Sequence, residues 1–187
     1  MSGIAIIDLE GVKAGYELDN ESVFGNIVAW NASNPDGLVI IEDIASYSGK
    51  AGQSTIDTVK YIGVLEYLLA GAVIDYDTIL RWEVKKWVYD TYPAIAKPRI
   101  DKRIAVLAKI EARKAAELLE KKNKVWIPPR RNNTFVYVDD RIIIASMKEY
   151  WGLATPKPGK CGEYGLSGHS WQALAAGTVY SCTLPLT

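Results

Sequence analysis

The chain has 187 residues, 49% of them apolar and 24% charged, the composition of a folded protein able to bury a core without staples. Two cysteines, Cys161 and Cys182, exclude a disulfide scaffold, and with a single histidine they exclude a four-ligand zinc site of Cys and His. No apolar run of ~18 residues offers a membrane span, and no basic stretch precedes a hydrophobic one at the N-terminus, so one soluble intracellular domain over 1–187 is expected.

The zero net charge hides a strong segregation. Residues 1–80 carry three basic and twelve acidic side chains, residues 81–131 fifteen basic and six acidic, and residues 132–187 four of each. Either the two charged parts neutralise each other, or an acidic pocket lies beside a basic surface for a polyanion.

In chain order, Gly3–Ile7 is a short apolar run ending at Asp8, and Val12–Leu18 alternates as a hairpin partner would. Asn20–Trp30 fits either a helix or a strand, and Asn31–Gly37 reads as a turn. Leu38–Ile41 is a second apolar strand, ending at Glu42-Asp43. After a Gly/Ser loop at Ser46–Gly52, the stripe Ile56, Val59, Ile62, Leu65, Leu69 predicts a helix over Thr55–Ala70, with Gly71 as its C-cap. Thr78–Val88 has strand-like content, which Tyr92-Pro93 ends. Ile100–Lys122 should be one long helix. A basic loop follows, with Trp126, Pro128, Pro129, Arg130 and Arg131. Asp139–Trp151 reads as a helix led by two carboxylates. Ser167 is a candidate N-cap for a last helix, His169–Tyr180, with Trp171, Leu174, Ala175 and Val179 turned inward. Strands ahead of helices suggest an α/β fold with one mixed sheet.

Two apolar strands thus end in a carboxylate, Asp8 and Glu42. An acid at the end of a buried strand is costly without compensation, and a divalent cation is a common partner. Such acids also cap helices or face solvent. His169 lies at a helix start in a Gly/Ser-rich loop, where the helix terminus favours the neutral imidazole that can ligate a metal or move a proton. It could equally cap the helix or bond a loop carbonyl. Gln172 shares its face at i+3. Asp139 and Asp140 are alternative acids for the same site, or simply residues that the helix dipole favours.

The order of IIDLEG (Asp8), VIIEDI (Glu42), the helix GKAGQSTIDTVKYIGVLEYLL, WEVKKWV and GHSWQALAAGTVY resembles the RuvC-type Holliday-junction resolvases of the ribonuclease H-like superfamily, particularly divergent phage-type members. That family's closing helix begins D-x-x-D-A-L-A; here His169 stands at the first acid and Gln172 at the last. The resemblance implies a mixed five-stranded sheet flanked by helices, with residues 97–133 a basic helical insertion. It also implies a metal-dependent endonuclease that cuts branched DNA by two-metal hydrolysis. Asp8, Glu42 and His169 would hold Mg²⁺, with Mn²⁺ able to replace it, and Gln172 would bind a water or phosphate. Phosphates would fall to Lys50, Lys60, Lys85, Lys86, Lys102, Arg103, Arg130, Arg131 and Arg141, with Lys85 matching a family lysine, and Tyr47 could stack on an unpaired base. A symmetric homodimer is implied, with Thr55–Ala70 as its contact helix, and no small-molecule cofactor is expected. No nuclear or export signal is evident, so a bacterial or phage-infected cytoplasm is the expected compartment.

Competing readings are a protein of the same fold that binds branched nucleic acid without cutting it, and a nuclease for flaps or RNA–DNA hybrids. A sugar-kinase or actin-like nucleotide module is a further one. It would need a second phosphate loop, and the sequence has none.

Overall fold

The computed structural model describes residues 2–8, 10–43, 52–120, 137–154 and 163–183. Strands β1 (Ser2–Asp8) and β2 (Gly11–Leu18) form an antiparallel hairpin. The register slips between Ile6 and Ile7, leaving Lys13 as the extra residue of a bulge. Helix α1 (Asn20–Ser33) follows, then β3 (Val39–Asp43), helix α2 (Gln53–Gly71) and β4 (Tyr76–Leu80), which pairs with β3 in parallel. The rest is helical: α3 (Arg81–Thr91), α4 (Pro93–Glu120), α5 (Asp140–Trp151) and α6 (Ser170–Thr183), with a 3₁₀ turn at Glu163–Gly165.

The five-stranded mixed sheet does not form. Among the described residues there are two separate two-stranded sheets in a mostly helical molecule. The segments that could have extended the sheet are capped into helices instead. Asp19 accepts hydrogen bonds from the amide and hydroxyl of Ser22 and starts α1. The Leu80 amide donates to Glu83, and α3 begins where Thr78–Val88 had suggested a continuous strand. Val84 and Val88 then fall one turn apart on the buried face of α3, so β-branched content that looked extended serves a helix.

Two hydrophobic clusters hold the molecule. The larger joins Val84 and Val88 of α3, Ile142, Ile143 and Met147 of α5, and Leu174, Ala175 and Val179 of α6. Each of the Val, Ile, Leu and Met side chains contributes about 1.5–3 kcal/mol on leaving water. Ala96 and Ile100 of α4 are buried in the same cluster, so the first turns of α4 belong to the core. Pro93 occupies the first turn of α4, where its missing N–H costs nothing, so Tyr92-Pro93 separates two helices where a strand end was expected. The smaller cluster joins Val23 and Ile27 of α1, Ile41 of β3, and Ile62, Leu65 and Leu69 of α2. Helix α6 rests on β1 and β3, and so bridges the two sheets.

Two caps also differ from expectation. Gly71 ends α2 inside the helix, and Val73 takes the left-handed conformation at φ 57°. Ser167 does not cap α6 with its side chain; its hydroxyl donates to Glu17. Among the described residues no helix is long and apolar enough to cross a membrane.

Candidate functional site

The two strand-end carboxylates have different surroundings. Asp8 is 49% exposed and accepts from the amides of Glu10 at 2.8 Å and Gly11 at 3.1 Å. The bulge turns Lys13 back onto it at 3.3 Å, with Glu10 2.7 Å from the same ammonium. Partial desolvation works to raise the Asp8 carboxyl, but the Glu10 amide and Lys13 outweigh it and hold it below its ordinary value. Asp8 thus closes its own hairpin.

Glu42 is only 15% exposed. Its Oε2 lies 3.4 Å from the Arg81 guanidinium, and its Oε1 is buried with no hydrogen-bond partner. Burial pushes its carboxyl up, against the pull of Arg81 and Lys85, and Asp140 adds to the rise by repulsion. The other end of the same guanidinium reaches Asp140 at 3.2 Å. Lys85, one turn along α3, is half-buried; desolvation lowers its pKa, helped by Arg81 and opposed by Asp140 and Glu42. Asp139 caps α5 through the Ile142 amide and lies 3.7 Å from Arg103 of α4. Four separate elements (β3, α3, α4 and α5) therefore converge on one charged cluster. Arg81 is its hub, and the sequence reading did not name it among the site residues.

His169 lies elsewhere. A Cβ on Gly3 would sit 2.2 Å from the His169 carbonyl carbon, while one on Gly177 would meet Ile7 at 2.6 Å. Helix α6 therefore runs alongside β1 in the same direction, with its start at the Gly3 end. Asp8 is five residues further on, roughly 16 Å along an extended strand. Metal–ligand bonds of about 2.0–2.6 Å cannot span that gap. The start of α6 already holds an anion: Glu17 of β2 accepts from the His169 amide at 2.7 Å and from the Ser167 hydroxyl at 3.3 Å. The trio Asp8, Glu42 and His169 is not assembled, and among the described residues no three His, Cys, Asp or Glu side chains come together. The His169 side chain is exposed, whereas Gln172 is buried and its Oε1 has no partner.

Glu42 and Asp140 are carboxylates of the kind that can hold one Mg²⁺ with phosphate and water oxygens completing the shell, but here the Arg81 guanidinium bridges them. A two-metal cage is not supported by these residues.

The basic candidates divide in the same way. Lys85 joins the cluster and Arg103 borders it, while Lys86 is tied to Asp90 at 2.6 Å on the next face of α3. Lys102 and Arg141 are exposed on α4 and α5, and Lys60 is exposed on α2. Tyr47, Lys50, Arg130 and Arg131 lie outside the described residues. No protein-family model, curated protein or solved structure matches this chain.

Proposed function

We propose that this protein is a divalent-metal-dependent endonuclease acting on branched DNA, with Glu42 as its central carboxylate and Asp140 as the companion acid. The observation that carries the reading is the buried Glu42 carboxylate, with one oxygen 3.4 Å from Arg81, the other without a hydrogen-bond partner, and Lys85 and Asp140 acting on its charge. A fold gains nothing from a desolvated, half-satisfied carboxylate, whereas a site that must grip a cation needs one. When bound, Mg²⁺ would supply an activated water and neutralise charge building on the phosphate. Arg81 would leave its two carboxylates and take the phosphate oxygens in a bidentate grip. Lys85 adds a second positive charge at close range. Lys102, Arg103 and Arg141 extend the basic surface along α4 and α5, where phosphate contacts give affinity that falls with salt. Cutting two symmetric strands calls for a C2 homodimer, and the apolar residues Ile56, Val59 and Tyr67 left exposed on α2 suit such a contact.

The test compares a four-way junction, a flap, an RNA–DNA hybrid and plain duplex at one salt concentration, with and without Mg²⁺. The junction should be cut only with Mg²⁺, and Glu42→Gln should lose at least ~100-fold in rate while still binding. Undiminished cutting by Glu42→Gln would overturn the assignment. The second reading, binding of branched DNA without cleavage, is favoured by the absence of a three-ligand cluster among the described residues. Tight junction binding with no nicking under any metal would select it.

A further inference from the structure

Helix α3 carries two adjacent stripes. Arg81 and Lys85 meet Glu42, and one position along, Trp82 and Lys86 line a cavity of about 430 Å³ between α3, β4 and α6. That volume is in the range of sites for small ligands. Trp87 and Tyr180 supply further aromatic walls, and Trp82 is 41% exposed. Trp87 is held in place by edge contacts to Tyr92 and Tyr150, each with ring centroids 5.9 Å apart. Ile79, also in the lining, is the register partner of Glu42 on the β3–β4 ladder. The cleft and the carboxylate cluster are therefore neighbours across one strand pair and one helix.

We propose that this cleft binds the unstacked base of a single-stranded nucleotide, leaving its phosphate toward Arg81 and Lys85. The inference rests on the nucleic-acid reading above and adds a base site to it. Four of the polar side chains that line the cleft, Glu83, Lys86, Asp90 and Tyr180, are already engaged. Lys86 pairs with Asp90, Glu83 accepts the Leu80 amide, and the Tyr180 hydroxyl donates to Asp77. What the cleft offers a ligand is aromatic surface, which suits a neutral planar group more than a free cation. Because every base has a π-face, the site should accept any base, with stacking strength setting the order.

The experiment titrates the full chain, in EDTA so that no cutting occurs, with a five-nucleotide oligodeoxyadenylate and with the same pentamer made abasic. The adenylate should bind at least roughly fivefold tighter, and Trp82→Ala should remove that advantage while Trp82→Phe keeps most of it. Trp30→Phe, on α1, should leave it unchanged. Equal binding of the two pentamers would overturn the base site, as would displacement of the adenylate by spermidine at lower concentration than by unlabelled oligomer. The comparison on the parent protein needs no variant to fold. Base-selective binding without junction cleavage would keep the cleft and remove the nuclease reading; cleavage without base selectivity would do the reverse.

Discussion

The ends of β1 and β3 look alike in sequence, an apolar run closed by an acid, and differ completely in the folded molecule. At β1 the acid is half-exposed, bonded by two amides of its own turn and neutralised by Lys13. At β3 the acid is buried, one oxygen has no partner, and its neighbours come from helices distant in sequence. A strand-end carboxylate that its own turn satisfies is a structural device. One that the fold desolvates and leaves incomplete has no such account within its own turn.

Three substitutions would break or sharpen that contrast. The largest effect is expected at Gly3, which fixes where α6 begins. A Cβ there meets the backbone of His169 and Ser170, which cannot step aside as a side-chain tip could. Gly3→Ala should cost about 3 kcal/mol in urea unfolding. A near-neutral result would mean that the helix start is not seated there, and would reopen a route from His169 to Asp8.

The next effect concerns Glu42 and pH. Its carboxyl is raised in the folded state by burial, so the unfolded chain gives up this proton first. The resulting penalty is absent below the unfolded pKa, grows as pH rises through it, and is complete above the folded value. At pH 7 Glu42→Gln should therefore melt at or above the parent, and the difference should close near pH 4. A lower melting temperature for Glu42→Gln at pH 7 would make the Arg81 pair a structural bond and erase the contrast with Asp8.

Asp8→Asn should have the smallest effect. The folded pKa of Asp8 is depressed, so its contribution is present above the unfolded value of about 3.9 and is lost as pH falls through the folded one. The variant should show a slight loss of melting temperature at neutral pH that fades in acid and in high salt, with junction cleavage reduced less than about tenfold. Loss of cleavage equal to that of Glu42→Gln would put both strand ends in one site.

Much of the local structure was legible in the residues. Apolar periodicity found α2, the leading carboxylates marked α5, and all four positions assigned to the inner face of α6, Trp171, Leu174, Ala175 and Val179, are buried. The stripe on α2 was read correctly at Ile62, Leu65 and Leu69, while Ile56 and Val59 remain exposed because α1 and β3 cover only the later turns. The strand reading of Thr78–Val88 held for Thr78–Leu80 and failed from Arg81 on, because tryptophan and valine favour strands on average while here they lie on a helix whose start Glu83 caps. Of the candidate site, the sequence named Glu42, Lys85, Arg103, Asp139 and Asp140, but as members of different groups.

By itself, then, the sequence determined which segments are apolar, where several helices run, and that acids close two strands. Those are short-range facts, written in the spacing of neighbouring residues. Which acid is buried, and which cations face it, depended on how β3, α3, α4 and α5 meet. Burial and charge pairing are set by groups far apart along the chain, so only the tertiary structure could separate the satisfied Asp8 from the incomplete Glu42.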